Sequence, residues 1–258
     1  MKNSLKITLV ATAMITMGFA ANSQFAMSDE DRAIYAELLE NNPAEMMREE
    51  GGELFEQNCG GKDALAKILG VKTKDLPKAI ASFPRYEKQF GMVVGLDQVL
   101  QVLMSNNNKK PYKLDSEDMF KMSTYVKSLA NGVPMNVNPK ANPHMKETYA
   151  LGEAVFNTKR GGRGLSCLSC HSKEAIGTIL RTQPLPNLGA KDVKAAATWP
   201  AYRMTKSSLT TLQKRFQQCM DNALLAKIPL GSKEMNALEV YIASKSNGHT
   251  IAIPGIKR

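Results

Sequence analysis

The chain has 258 residues, enough for one large domain or two small ones that each bury a core. It is basic, with 34 Lys and Arg against 24 Asp and Glu and a formal charge of +10, which suits nucleic acid, anionic lipid or a small anionic substrate. No nucleic-acid-binding motif is recognisable, and beyond the N-terminus no stretch is apolar enough to cross a bilayer. We therefore expect no nucleic acid and no membrane anchor, and favour an anionic substrate or an acidic protein partner.

Residues 1–23 have the pattern of a secretory signal peptide. Lys2 and Lys6 precede an apolar run at 7–17, and small residues follow it at 20–23. The run is too short to span a bilayer comfortably. We predict cleavage at its end and a periplasmic protein, whose formal charge falls to +8 when the two lysines are removed.

Residues 24–50 are expected to form an N-terminal arm. The acidic start after Ser28, followed by Tyr35 and Leu38, predicts a capped amphipathic helix. The compact part of the protein is expected to begin at Gly51 or the glycine after it.

From there the sequence repeats itself at an offset of 116 residues. The segment 82–86 matches 198–202, with aromatic, proline and tyrosine in register. The same offset aligns Leu96 with Leu212, Gln101 with Gln217, Met104 with Met220, Ser116 with Ser232, Met119 with Met235, Tyr125 with Tyr241 and Asn131 with Asn247. We therefore predict two copies of one domain, at 51–132 and 146–258, joined by a proline- and asparagine-rich linker at 133–145.

The apolar residues of both copies recur at helical steps of three and four. The clearest series are Leu209, Leu212, Phe216 and Met220, and then Met235, Leu238, Tyr241 and Ile242. Strand-like alternation is scarce. The fold is predicted to be mostly α-helical.

The second copy contains Cys167-Leu168-Ser169-Cys170-His171, the spacing for covalent attachment of a c-type haem. Each thiol is expected to add to one haem vinyl group, and His171 to bind the iron as the proximal ligand. A zinc half-site is the alternative, but zinc needs a second pair of ligands, and the rest of the chain offers only scattered ones. The motif and the helical pattern together predict two tandem cytochrome c-like domains.

The first copy is predicted to lack haem. When Cys59 is aligned with Cys167, Lys62 and Asp63 occupy the places of the second cysteine and the histidine. We therefore expect one covalently bound haem c per chain, and Cys59 as a leftover thiol.

The sequence does not determine which residue is the sixth iron ligand. The possible ligands in or near the second copy are Met204, Met220, Met235, His144, His249 and Cys219. Met220 and Met235 have methionine counterparts in the copy without haem, which favours core packing for them. Cys219 instead corresponds to Leu103, so a cysteine occurs there only beside the haem. A disulfide between Cys59 and Cys219 is the alternative for this thiol.

A thiolate ligand needs positive charge nearby to stay deprotonated. Arg215 lies four residues before Cys219, on the same face of the predicted helix. Its planar guanidinium can also hold an oxyanion in two-point contact. A solvated surface charge is the other interpretation of Arg215.

Four segments of the second copy resemble the SoxA family, the larger cytochrome c subunits of the thiosulfate-oxidising Sox system. They are residues 160–171, 199–203, 212–219 and 229–234. The resemblance implies a periplasmic heterodimer with the small cytochrome SoxX, acting as an L-cysteine S-thiosulfotransferase. Such a complex oxidatively joins thiosulfate to a cysteine of the carrier SoxYZ and passes electrons to SoxX.

The resemblance also assigns roles within the site. Cys167 and Cys170 tether the haem, and His171 is the proximal ligand. Cys219 is the distal, catalytic ligand, found as a persulfide in the family, and Arg215 lines the active site. Many relatives have a second haem or a disulfide in the first domain, and Leu103 removes the cysteine that either would need. A plain electron-transfer cytochrome and a structural adaptor are the competing functions.

Overall fold

The computed structural model describes residues 29–177, 179–180, 183–191 and 193–257, and the expected signal peptide lies outside this part of the chain. Ten α-helices occur in it: α1 (Asp29–Glu40), α2 (Ala44–Cys59), α3 (Gly61–Ile68), α4 (Leu76–Ala81), α5 (Leu96–Asn106), α6 (Glu117–Ser128), α7 (Pro143–Asn157), α8 (Cys167–Cys170), α9 (Leu212–Ala223) and α10 (Lys233–Ser244). The short strands are β1 (Arg85–Glu87), β2 (Met92–Val94), β3 (Ile179–Leu180), β4 (Gln183–Pro184), β5 (Ala201–Arg203), β6 (Ser208–Thr210) and β7 (Gly255–Lys257). The predominantly helical fold is as predicted.

The 116-residue repeat is visible as repeated structure. The antiparallel hairpin of β1 and β2 recurs as β5 and β6, with the register Arg85 to Val94 matching Ala201 to Thr210. Helices α5 and α6 recur as α9 and α10 at the same offset. Leu209, which the helical spacing had included, belongs to β6 instead, because the helix begins only after its N-cap at Thr211.

Each copy is built on a close crossing of two helices. In the first copy α2 crosses α6, and a Cβ on Gly51 would lie 2.0 Å from the carbonyl oxygen of Lys121. In the second, α7 crosses α10, and a Cβ on Gly152 would lie 2.0 Å from the carbonyl oxygen of Ala237. Only glycine allows the two backbones to approach this closely. The crossing therefore depends on one glycine in each copy.

An aromatic pair sits beside each crossing. The rings of Phe55 and Tyr125 are 5.8 Å apart at 44°, and those of Phe156 and Tyr241 are 5.3 Å apart at 42°. Both are tilted contacts of the kind that aromatic quadrupoles favour. The two copies thus share their packing as well as their helix order.

Two element boundaries differ from the sequence-based expectation. Helix α2 begins at Ala44, which is fully buried, so the compact part starts before Gly51 and only α1 forms the arm. Helix α7 begins at Pro143, inside the expected linker, because the side chain of Asn142 accepts a hydrogen bond from the backbone N–H of Met145. Both helices are longer at the N-terminal end than their apolar patterns indicate.

The linker and the C-terminal tail form a paired structure. The segments 131–137 and 247–253 run antiparallel, with Pro134 opposite Thr250. Gly132 donates to the carbonyl of Ile251, and the equivalent Gly248 donates to that of Met135. Because the two segments are equivalent in the repeat, this pairing joins the copies about a local twofold axis.

The two copies share one hydrophobic core, which extends from Phe55 in α2 to Ile253 in the tail. The small β5–β6 sheet gains a third strand, because β7 lies parallel to β5. Among the described helices, none combines the length and apolar character that a bilayer crossing requires.

Candidate haem site

The cysteine pair lies on the single turn of helix α8. Ser166 caps this turn, since its hydroxyl accepts from the backbone N–H of Ser169 while the Ser169 hydroxyl accepts from the N–H of Ser166. Cys167 and Cys170 are therefore one helical turn apart, and both are half-buried. This is the local geometry that two thioether links to one planar group require.

His171 follows the turn directly, and its ring orientation is fixed. Its Nδ1 lies 2.8 Å from the carbonyl oxygen of Pro186. Since a carbonyl only accepts hydrogen bonds, Nδ1 carries the proton and Nε2 keeps its lone pair for a metal. Burial lowers the pKa of His171, which favours the neutral imidazole that ligation needs.

Helix α9 brings the second set of residues to the site. Thr211 caps it by accepting from the backbone N–H of Lys214, and Arg215 and Cys219 are one turn apart on the helix. Burial raises the pKa of the Cys219 thiol, while the guanidinium groups of Arg215 and Arg203 act to lower it. The arginines thus supply the positive charge that a thiolate at this position needs.

The thiols of α8 and α9 lie within electrostatic range of one another. The pKa of Cys167 is raised to about 11, mainly by burial and also by a negative charge on Cys219, whereas Arg160 acts to lower it. A negative charge on Cys170 in turn raises the pKa of Cys219, and the positive charge of Arg215 lowers the pKa of His171. The structure therefore brings together all five residues that the sequence singles out.

Arg203 is a residue of this site that the sequence analysis missed. It ends strand β5, is 6% exposed, and has a pKa lowered to about 10 by burial and by the neighbouring charge of Arg215. Its counterpart in the first copy is Glu87. Comparison of the two copies, the same step that singled out Cys219, would have found it.

The other candidate ligands have different environments. Met220 and Met235 are packed in the core. The ring of His144 stacks on Tyr86 of the first copy, with centroids 4.3 Å apart. Met204 lies in a 3₁₀ turn after β5, and His249 belongs to the paired C-terminal segment, where its carbonyl oxygen accepts from the N–H of Met135.

Cys59 lies in the core of the first copy. It ends α2, is 1% exposed, and its Sγ lies 3.6 Å from the Sδ of Met122. Cys59 and Cys219 are both free thiols, so the alternative disulfide between them is not formed. Lys62 and Asp63 lie on α3, where Asp63 accepts a hydrogen bond from Thr73.

The residues of the second copy fit a c-type haem. Cys167 and Cys170, one turn apart, would tether the group, and His171, with Nε2 available, would bind its iron, while Cys219 on α9 lies within electrostatic range of Cys167 and Cys170. Fold and site together define a c-type cytochrome domain.

The chain belongs to the SoxA/TsdA cytochrome c family, whose domain model matches residues 50–135 and 151–251. The two matched segments correspond to the two copies. Among curated relatives, the L-cysteine S-thiosulfotransferase subunit SoxA of Hydrogenophilus thermoluteolus is 31% identical over 98% of both chains. The protein of the same name from Hydrogenobacter thermophilus is 30% identical over 84% of this chain and 82% of its own length.

The fold is similar to a solved structure as well. The crystal structure of SoxXA from P. pantotrophus includes a chain that matches with a TM-score of 0.71 and 20% identity. The match covers 92% of this chain and 86% of that one. The chain therefore shares the fold of that structure.

Proposed function

We propose that this protein is the SoxA subunit of an L-cysteine S-thiosulfotransferase, which oxidatively joins thiosulfate to a cysteine of the carrier SoxYZ in the periplasm. The observation that supports the proposal is that Cys219 and Arg215, one turn apart on α9, lie within electrostatic range of residues of the Cys167–His171 turn. Family membership and the names of the curated relatives support it. SoxX is proposed as the partner that receives the electrons.

One haem c per chain is proposed, held by thioether links to Cys167 and Cys170. His171 is proposed as the proximal ligand and Cys219 as the distal ligand. The first copy offers no comparable set of two thiols and an imidazole. Cys59 is packed against Met122, and Lys62 and Asp63 on α3 stand in the places of the second cysteine and the histidine. When bound, the haem supplies an electron acceptor next to the sulfur chemistry.

Cys219 is proposed as the sulfur nucleophile. A thiolate at this position bonds to the sulfane sulfur of thiosulfate, and two electrons leave toward SoxX as the S–S bond forms. A carrier thiol then gives up its proton and attacks that sulfane sulfur, and Cys219 leaves as the thiolate. The net result is a carrier S-thiosulfonate, one proton and two electrons.

Arg215 is proposed to hold the sulfonate oxygens during this reaction. Its guanidinium lies one helical turn from Cys219, and none of the ion pairs between described residues involves it. An arginine with this freedom can offer both fork N–H groups to two oxygens of one anion.

A matched pair of cysteine variants tests the proposal. Cys219→Met, which keeps a possible iron ligand but removes the thiol, should retain covalent haem and lose thiosulfate-dependent conjugation to SoxYZ. Cys59→Ala should keep both. Undiminished turnover by Cys219→Met would remove Cys219 from the reaction and favour a plain electron-transfer cytochrome.

A further inference from the structure

A glycine-rich loop precedes the cysteine turn in the second copy and has no equivalent in the first. Gly51 and Cys59 are eight positions apart, whereas the equivalent Gly152 and Cys167 are fifteen apart, so the second copy has seven more residues here. They lie in the segment 158–166, which contains three glycines. In the first copy, helix α2 continues to Cys59 itself. The additional loop therefore accompanies the haem-attachment motif.

The loop is closed on itself by backbone hydrogen bonds. The N–H of Arg160 donates to the carbonyl of Leu165 at 2.9 Å, and that of Gly164 donates to the carbonyl of Gly161 at 3.2 Å. Leu165 is followed by Ser166, whose side chain caps helix α8. A displacement of Gly161 is therefore passed through a few bonded residues to the turn that carries the cysteine pair.

The tip of the loop packs against the C-terminal end of α9. Gly161 has a φ of +74°, and a Cβ on it would lie 2.4 Å from the carbonyl oxygen of Leu224, so both the backbone conformation and the approach require glycine. The N–H of the same peptide group belongs to Leu225 and donates to the carbonyl of Met220 at 2.8 Å. Since Met220 directly follows Cys219, the contact reaches the helical turn that carries this thiol.

The first copy joins the equivalent elements through a side chain. There the C-cap of α5 is Asn107, and its Nδ2 donates to the carbonyl oxygen of Asn58, the residue before Cys59, at 3.1 Å. The counterpart of Asn107 in the second copy is Ala223, which has no such donor. An exposed side-chain hydrogen bond in the first copy is thus replaced by backbone packing in the haem-binding copy.

A site with ligands from two elements depends on how firmly those elements are held together. Cys167 and His171 belong to the α8 turn, whereas Cys219 belongs to α9. A metal–ligand bond tolerates a misplacement of about 0.2 Å. Backbones in close contact maintain such a spacing better than a flexible side-chain link does, because closely packed groups resist compression.

We propose that Gly161 is a positioning residue, which fixes the spacing between Cys219 and the Cys167–His171 turn and so holds the Cys219 sulfur where it can bind the iron. This inference rests on the proposed function, in which Cys219 is the distal ligand and the nucleophile. In this role Gly161 acts through the Leu224–Leu225 peptide group and not by contact with the substrate.

The reduction potential and the electron paramagnetic resonance spectrum of the haem-loaded protein test this without turnover. Gly161→Ala places a methyl group against the carbonyl of Leu224, so the loop and α9 must move apart. We expect covalent haem to be retained, because the cysteine motif is intact. Most molecules should lose the thiolate ligand, which donates electron density to the iron, so the low-spin ferric signal should be lost and the potential should rise.

Gly164→Ala is the matched control. Gly164 lies in the same loop and has a φ of +59°, so the substitution introduces the same kind of backbone strain, but a Cβ there meets no atom within 4 Å. This variant should keep the potential and the spectrum of the wild-type protein. The comparison separates the contact made by Gly161 from its backbone conformation.

A one-residue insertion provides a second variant. A glycine inserted between Gly162 and Arg163 leaves the contact of Gly161 in place and lengthens the path from it to Cys167. The potential and the spectrum should shift in the same direction as in Gly161→Ala. Should Gly161→Ala fail to load haem, the insertion supplies both measurements.

Steady-state kinetics give a further readout. In Gly161→Ala, kcat should fall about a hundredfold, the loss that a misplacement of about 1 Å can cause. The KM for thiosulfate should stay within about twofold, because Arg215 moves together with Cys219 on the same helix.

The outcomes separate this inference from the proposed function. If the wild-type protein conjugates thiosulfate but Gly161→Ala and Gly164→Ala have equal potentials and spectra, the role of Gly161 is overturned and the function stands. If Gly161→Ala alone loses the low-spin signal but the wild-type protein conjugates no thiosulfate to SoxYZ, the positioning role stands and the function is overturned. A wild-type haem without a thiolate ligand would overturn this inference whatever the turnover.

Discussion

Asn131 and Ile253 exchange two hydrogen bonds across the two copies. The backbone N–H of Ile253 donates to Oδ1 of Asn131 at 2.8 Å, and Nδ2 of Asn131 donates to the carbonyl of Ile253 at 2.6 Å. Asn247 makes the same exchange with Val137, at 2.8 and 2.7 Å. Asn131 of the first copy thus binds the segment after the last helix of the second copy, and Asn247 of the second copy binds the segment after the last helix of the first.

Removal of one of these asparagines should loosen this reciprocal connection. Asn131→Ala leaves a backbone donor and an acceptor without their partner and should lower the free energy of unfolding by about 1 kcal/mol, a value typical of an intramolecular hydrogen bond. Urea unfolding followed by circular dichroism measures this. Asn222→Ala, at the exposed end of α9, is the control, and equal midpoints for the two variants would contradict the account.

The helix crossing of the haem-binding copy predicts a larger effect. Gly152→Ala forces a methyl group to within 2.0 Å of the carbonyl oxygen of Ala237, so α7 and α10 must move apart. We expect a loss of about 3 kcal/mol in unfolding free energy, at the upper end for overpacking. Gly162→Ala, where a Cβ meets no atom within 4 Å, should be tolerated. Similar thermal midpoints for both variants would show that the crossing can yield.

The interface between the copies contains a buried carboxylate that predicts a pH dependence. The pKa of Asp97 is raised to about 6, mainly by burial and also by the charge of Glu239, although a 2.6 Å hydrogen bond from Ser123 and the charge of Lys127 act to lower it. Since this pKa is higher in the folded than in the unfolded protein, the stability that protonated Asp97 contributes is present below about pH 4 and is lost as the pH rises through about 6.

Asp97→Asn removes this ionisation and keeps an oxygen for Ser123 to bond. Relative to wild type, the unfolding free energy of the variant should therefore rise by up to about 3 kcal/mol between pH 4 and pH 7, the equivalent of two pKa units. Asp29→Asn on the exposed α1 should follow the wild-type profile. Parallel profiles for wild type and Asp97→Asn would show that Asp97 ionises as it does in water.

The burial of Cys59 predicts an unreactive thiol. Burial raises its pKa to about 12, so at pH 8 almost none of it is thiolate. Iodoacetamide should leave Cys59 unmodified in the native protein and alkylate it in guanidinium, as peptide mass analysis can verify. Rapid alkylation of native Cys59 would mean that the first copy opens at its core.

The sequence was sufficient to predict the repeat and the turn that carries both cysteines, because both depend on local order: a fixed offset, and a spacing of two cysteines and a histidine. The helix N-caps at Ser116 and Ser232 are local in the same sense. Arg215 and Cys219 could be related because one helix carries both.

What the sequence did not predict depends on contacts between distant residues. The pairing of 131–137 with 247–253 turns an expected linker into part of the structure. Arg203 lies on strand β5, which pairs in parallel with β7 more than fifty residues later, and no periodicity in the sequence predicts that pairing. The early start of α2 at Ala44 likewise follows from burial against other elements.

The central claim is that this chain carries a single haem, on the Cys167–His171 turn, with Cys219 as its reactive sulfur. The intact mass of the purified periplasmic protein, followed by peptide mapping, tests it most directly. The account predicts the mass of the processed chain plus one haem, with the haem on the peptide that contains Cys167 and Cys170, and any further sulfur on the peptide that contains Cys219. A second haem, or a haem attached at Cys59, would contradict it.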